Sequence, residues 1–396
     1  MAITDKKQGV WDTWEVYNKA NEGDWTYAPD PVGLWTFGRN NPGGGLGLND
    51  SIDRSSPTQV GSMPAPGAQY DSVSIGEYTF VATKTDGTLW TWGSNMFGML
   101  GQNAGPGDFS SPVQVGTDTD WSKAFTTPLN SAALKTDGTF WIWGLNNVGQ
   151  LGVGNKTNYS SPMQLPGTWT GDNNEFDLRS SYRRTALLKG DGTLWLMGDG
   201  NNGRLGFNNQ TQYSSPKQMP AGSGKTWVSV GGAGGQLYGA KDDGTLWGWG
   251  DGDGYALSQS TTSYSSPKEI PGTGWGGPIV GFSEGGLALK TNGTLYSWGT
   301  PGTNDRAGIL GQNSTQVSPS LQQVGTDTYS DIECTSQGAV HAIKTDGTLW
   351  VWGGGLYGIL GLNSETFYSS PVQMPGDWPS NALCHWSGGW RSGLKK

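Results

Sequence analysis

A chain of 396 residues with a formal charge of −9 and no basic run is long enough for a large core and repels a phosphate backbone, which excludes duplex nucleic acid as a general partner. Gly 67 and Trp 21, with only 14% charged residues, suit short strands joined by tight turns and exclude helical solenoids; the glycines keep no triplet period, which excludes collagen. No apolar stretch reaches membrane-spanning length, and Met-Ala-Ile-Thr-Asp-Lys-Lys lacks the apolar run of a signal peptide, so the cytoplasm is the default compartment.

Residues 1–32 stand outside any repeat. Asp12-Thr13-Trp14-Glu15 matches a capping box and predicts a short helix from about Thr13 to Ala20, ending near Gly23. Val10, Trp11, Trp14, Val16, Tyr17, Trp25 and Tyr27 make this arm too apolar for a solvated tail. It must dock, either on its own domain or on another chain.

From Gly33 onward one unit recurs, best read in Lys84-Thr85-Asp86-Gly87-Thr88-Leu89-Trp90-Thr91-Trp92-Gly93. The Asp-Gly pair predicts a type I′ hairpin turn, with both residues at positive φ, and Thr-Leu-Trp-Thr-Trp predicts the outgoing strand. The strand's first aromatic falls at Trp35, Trp90, Trp141, Trp195, Trp247, Tyr296 and Trp350, at spacings of 49 to 55 residues. The turn recurs at Asp86, Asp137, Asp191, Asp243 and Asp346, and as Asn292-Gly293 in the sixth unit. A loop of the form Gly-x-Asn-x-x-Gly-x-Leu-Gly-x-Asn follows, as at Gly93, Asn95, Gly98, Leu100, Gly101 and Asn103. Its glycines predict close backbone approach, and its asparagines bonds to loop backbone.

A Ser-Pro element closes each unit, at Pro57, Pro112, Pro162, Pro216, Pro267, Pro319 and Pro371, which suits an outer edge strand where a missing donor does no harm. An aromatic opens the next, at Tyr70, Trp121, Trp169, Trp227, Trp275, Tyr329 and Trp378. Two strands before the turn and two after it give four per unit. Units of about 50 residues with four antiparallel strands are propeller blades, so the fold class is all-β, a seven-bladed β-propeller over residues 33–396. The first unit lacks its opening strands and the last opener, Trp378, leads only to Gly389-Trp390-Arg391-Ser392-Gly393-Leu394-Lys395. Residues 378–396 are therefore expected to pair with residues 33–38 in one composite blade that closes the ring.

This pattern closely resembles the regulator of chromosome condensation repeat family, whose seven-bladed propellers carry Asp-Gly-x-Leu-x-x-Trp-Gly and Gly-x-Leu-Gly. The resemblance covers about residues 33–396. Departures are Met197 for a tryptophan, the loop Gly250-Asp251-Gly252-Asp253-Gly254-Tyr255-Ala256-Leu257-Ser258, and a four-residue insertion within Thr300 to Gly308. The resemblance implies a protein that works through a face, since relatives include a nucleotide exchange factor for a small GTPase, a β-lactamase inhibitor and an ultraviolet-B photoreceptor. A second resemblance lies in Gly9-Val10-Trp11-Asp12-Thr13-Trp14-Glu15-Val16-Tyr17, which looks like the segment opening many structural proteins of tailed bacteriophages. It implies a virion component docked by its arm.

Catalytic and metal motifs are weak. Gly281-Phe282-Ser283-Glu284-Gly285 fits a nucleophile elbow but falls in a hairpin, where that motif does not work. Gly224-Lys225-Thr226 lacks the first glycine of a phosphate loop, having Met219 there. Asp251 and Asp253 sit in an ordinary post-strand loop without the terminal Glu of a calcium site. His341 and His385 lack zinc-ligand spacing, and Cys334 and Cys384 read as buried thiols at equivalent inner positions. No cofactor, metal or enzyme activity is expected.

The repeated Trp-x-Trp strands are assigned to packing between blades. Tyr78, Tyr182, Arg183, Arg184, Gln236, Glu284, Trp386, Trp390 and Arg391 differ from blade to blade in the inner-hairpin register. Positions freed from the fold's demand are the candidates for a partner surface around the channel. The leading expectation is a non-enzymatic structural or appendage component of a phage virion, bound to other virion proteins through residues 1–32 and offering a propeller face to a host surface or second protein. The alternative is a cellular regulator gripping a GTPase or an enzyme. Chromatin is disfavoured because the arm holds three lysines against six acidic residues.

Overall fold

The recurring hairpin closes by a different turn from the one its Asp-Gly pair predicts. In the computed structural model, Gly87 N–H donates to the Lys84 carbonyl at 2.9 Å and Lys84 N–H to the Thr88 carbonyl at 3.0 Å. Of the pair only Gly87 takes a positive φ, +78°. This is a type I turn over Thr85 and Asp86 followed by a left-handed glycine bulge, not type I′. Aspartate serves through its side chain: Asp86 Oδ1 accepts from Thr88 N–H at 3.0 Å and from Thr88 Oγ1 at 2.6 Å. Thr88 Oγ1 in turn accepts from Trp90 Nε1 at 2.7 Å. The same relay stands at Asp137, Asp191, Asp243 and Asp346, and Asn292 keeps its first half with Thr294. Turn chemistry thus fixes the strand tryptophan's indole as well as the chain reversal.

The structure describes residues 33–395 apart from 42, 62–68, 104–106, 170–175, 182, 259, 302–307, 336–337, 380–381, 384 and 387–390. The expected arm helix and its apolar residues Val10, Trp11, Trp14, Val16, Tyr17, Trp25 and Tyr27 lie outside these, as do Tyr182, Cys384 and Trp390.

Blade 2 consists of strands Tyr70–Ile75, Thr79–Lys84, Leu89–Gly93 and Phe109–Gln114, antiparallel in that order. Blades 3, 4 and 5 repeat it from Trp121, Phe176 and Trp227. Blades 6 and 7 share one long strand, Ser318–Cys334. Its first part is the last strand of blade 6, against Thr294–Gly299, and its second part the first strand of blade 7, against Ala339–Lys344. First strands of neighbouring blades touch, with Thr126 N–H donating to Ser74 Oγ at 2.9 Å, so they form the inner ring. The Ser-Pro strands lie outermost, where proline leaves no ladder bond unmade.

Blade 1 is composite, as the chain ends predicted. Leu34–Gly38 lies between Arg54–Gln59 and Arg391–Lys395, with Trp35 opposite Leu394. Its innermost strand departs from the plan. Leu383 makes a single antiparallel bridge to Leu394, and His385–Trp386 pairs in parallel with Ser74 and Ile75 of blade 2. Among the described residues the blade is three-stranded, and His385–Trp386 caps its neighbour's open inner edge, where N–H and C=O groups need partners.

The second aromatic position of the third strand is the core of the blade-to-blade packing: Trp92, Trp143, Trp249, Trp298 and Trp352, with Phe37 and Met197 in their place in blades 1 and 4, are all 0% exposed. Trp143 Nε1 donates across to the Met99 carbonyl of the preceding blade at 2.9 Å. Loop asparagines act in both directions. Asn95 Oδ1 accepts from Leu100 N–H at 3.0 Å, and Asn103 N–H donates to the Ser160 carbonyl of the next blade's outer strand at 2.8 Å. The same bond from Asn363 to Ser55, also 2.8 Å, joins blade 7 to blade 1. Only glycine fits that seam: at Gly358, φ +71°, a Cβ would lie 2.2 Å from Ser55 Cα.

Cys334 is buried, its sulfur donating to the Gly281 carbonyl at 3.1 Å. His341 is 0% exposed, and burial pushes its imidazole down from 6.5 to about 3. The unfolded chain therefore takes up this proton first. Stability is complete above pH 6.5 and falls as the pH drops from there toward 3, by about 2 kcal/mol between pH 7 and pH 5. Urea unfolding across that range should show the fall, and His341→Leu should flatten it.

Candidate protein-binding face

The turns between first and second strands and the loops after third strands share one face, here the loop face. Ser94 N–H donates to the Tyr78 carbonyl at 2.9 Å, which ties the two sets together within a blade. The Asp-Gly turns occupy the opposite face.

The variable residues of the inner-hairpin register divide sharply. Arg184, Gln236 and Arg391 each begin the second strand of their blade, opposite the glycine that ends the third: Gly198, Gly250 and Gly38. All three are buried, at 1%, 1% and 2% exposure. Arg184 donates to the carbonyls of Gly234 (2.6 Å) and Gly235 (3.1 Å) in the next blade's hairpin, and to that of Arg204 (3.2 Å). Gln236 Nε2 donates to Phe282 O at 2.6 Å and Ser283 O at 3.3 Å. Arg391 donates to Arg39 O and Glu77 O, both at 3.0 Å. These residues are not offered to a partner. They staple one blade to the next, their buried donors satisfied by loop and hairpin carbonyls at the seam. Burial also pushes the Arg184 guanidinium down to about 9 and that of Arg391 to about 10.

Tyr78, Arg183 and Glu284 do reach the surface, Tyr78 half-buried and the other two exposed. Burial, reinforced by Glu77, raises the Tyr78 phenol to about 12, so it stays a hydrogen-bond donor at neutral pH. Trp386 contributes backbone to the inner edge of blade 2. Ser283 lies in the hairpin turn between Trp275–Phe282 and Gly285–Lys290. Asp251 takes the Arg204 guanidinium, at 2.7 Å from Nη2 and 3.1 Å from Nε, with Asp199 on the other side at 3.7 Å. That loop is an ion-pair network.

Other surface residues escaped the sequence reading. Met96 and Phe97 are 45% and 43% exposed on the blade 2 loop, and Arg39 stacks on Tyr357, 5.0 Å from the ring centroid. On the opposite face the repeated lysine fills a cage between opener and strand aromatics. Lys84 Nζ is 5.4 Å from the Tyr70 ring and 3.7 Å from that of Trp90, and Lys241 repeats this with Trp227 and Trp247 at 4.9 and 3.9 Å. Burial lowers the Lys84 and Lys241 pKa values. The fixed spacing of Lys, Asp-Gly and Trp was the available signal for this cation–π cage. The channel mouth there opens as a hollow of about 500 Å³ lined by Lys123, Lys189, Asp191, Val228 and Gly277 among others.

The profile of the regulator of chromosome condensation (RCC1) repeat matches residues 137–170 and 191–236. The E3 ubiquitin-protein ligase HERC2 of Homo sapiens is 25% identical over 302 residues, 73% of this chain, and the chain spans 6% of HERC2. The ultraviolet-B receptor UVR8 of Arabidopsis thaliana is 26% identical over 359 residues, 86% of this chain and 77% of the receptor. Among solved structures, human WBSCR16 superposes with a TM-score of 0.76 at 19% identity, covering 92% of this chain and 98% of that one. Yeast RCC1 (Prp20), solved with Kap60, gives 0.72 at 18% identity over 92% and 89%. Repeated relay, composite closing blade and these likenesses agree: the chain is a seven-bladed propeller that carries regulator of chromosome condensation repeats at residues 137–170 and 191–236.

Proposed function

We propose that the chain is a non-enzymatic regulatory protein that binds a protein partner through its loop face. The observation that carries this reading is that Tyr78, Arg183 and Glu284 occupy equivalent inner-hairpin turns, reach solvent there, and differ from blade to blade although the fold needs nothing from them. Supporting it, Prp20, a protein of the same fold, has been solved bound to Kap60. The virion reading of residues 1–32 draws nothing from these relatives, so a cellular protein partner is preferred.

The test is affinity capture with the intact chain. Arg183→Glu combined with Glu284→Lys should reduce recovery of the specific partner at least tenfold, whereas Lys225→Glu on the opposite face should leave it unchanged. Recovery of a GTPase with accelerated nucleotide release would make the chain an exchange factor. Recovery of particle proteins, lost on removal of residues 1–32, would overturn the regulatory reading in favour of a virion component.

A further inference from the structure

The loop after the third strand carries a short 3-10 turn at Met96–Gly98, Asn201–Gly203 and Leu356–Gly358. The middle residue of each is left-handed: Phe97 at φ +61°, Asn202 at +53° and Tyr357 at +58°. Asparagine is what that conformation selects, because its short polar side chain tolerates the region and a bulky aromatic does not. Phe97 is 43% exposed beside Met96 at 45%, so burial does not offset its strain. Strain kept at an exposed position points to use by something outside the chain.

Tyr357 shows what a ring at this position can do. The Arg39 guanidinium of the next blade lies over it, 5.0 Å from the centroid. On blade 2 the residue matching Arg39 across the seam is Leu145, which follows Gly144 as Arg39 follows Gly38 and is itself 7% exposed. Among the described residues no cation or ring stacks on Phe97. The loop is also negatively charged: exposed Asp108 accepts from Asn95 N–H at 3.0 Å.

We infer that Phe97 is an open cation–π acceptor, and that the partner bound at the loop face delivers an arginine side chain onto this ring. Met96 supplies the apolar shoulder for the arginine stem, and Asp108 the opposite charge. Arginine fits best because its planar, weakly hydrated guanidinium stacks on an aromatic face at low desolvation cost. This inference rests on the loop-face reading proposed above and names the chemistry that face recognises.

A fluorescein-labelled peptide of alternating arginine and glycine, titrated into the full chain at low ionic strength and followed by anisotropy, tests it. Phe97→Asn should weaken binding about fivefold. It should also raise Tm by roughly 1–2 °C, because asparagine relieves the backbone strain. Phe97→Trp should hold or tighten binding. An affinity that Phe97→Asn leaves unchanged, absence of peptide binding, or a lower Tm in Phe97→Asn overturns the inference. If partner capture still requires Arg183 and Glu284 while peptide affinity ignores Phe97, the loop-face reading stands and the arginine acceptor falls.

Discussion

Deleting residues 391–396 should abolish cooperative folding of the ring. Strand Arg391–Lys395 covers the inner side of Leu34–Gly38 in blade 1 and pairs with it residue by residue. It carries Leu394 and Ser392 at 0% exposure and the Arg391 guanidinium that holds the Arg39 and Glu77 carbonyls. Loss of one fully buried leucine, a run of ladder bonds and a charged staple sums to about 8 kcal/mol. That is comparable with the whole stability of an ordinary domain, about 5–15 kcal/mol. Equilibrium unfolding in urea should lose its sharp transition, and amide exchange should accelerate first in Leu34–Gly38 and in the seam between Asn363 and Ser55. A peptide spanning residues 378–396, added in trans, should restore the transition. Unchanged unfolding in the truncated chain would contradict closure through this strand.

Arg184→Ala should cost roughly 3–5 kcal/mol, since it removes three charge-assisted hydrogen bonds made by a fully buried guanidinium and opens a void. Arg184→Lys should recover only part of this. An ammonium is a compact point charge, and the Gly234, Gly235 and Arg204 carbonyls are reached from two nitrogens of a rigid fork. Chemical denaturation gives the magnitudes. Exchange at Gly234 and Gly235 should rise well beyond the global change, because the damage is confined to the hairpin that Arg184 holds.

Both expectations concern residues first picked out as variable, and their fates show where sequence reading succeeds. Leu34 and Leu394 could be placed in one blade because each chain end lacked the half that the other possessed. The phase of Trp-x-Trp, Asp-Gly and Ser-Pro needed no tertiary knowledge, since each reports a local strand, turn or edge. By contrast, Arg184, Gln236 and Arg391 look like surface residues in any one-dimensional reading. A polar side chain is buried only when another segment brings it partners, and here those partners are hairpin carbonyls roughly one repeat along the ring. Phe97 was overlooked for a related reason, because its left-handed backbone is imposed by the turn and is invisible in a residue name. The Asp-Gly turn failed in a smaller way: the pair marks a reversal, but its type depended on the carboxylate finding Thr88 and on a glycine bulge.

The amino-acid sequence alone determined the architecture, the blade number and the way the ring is closed, because periodic local signals repeat in phase over the whole propeller. The tertiary structure alone decided which irregular residues are staples between blades and which stand in solvent, and that His385–Trp386 caps blade 2 instead of completing blade 1. Burial and partner geometry at a seam belong to two blades at once, so neither repeat encodes them by itself.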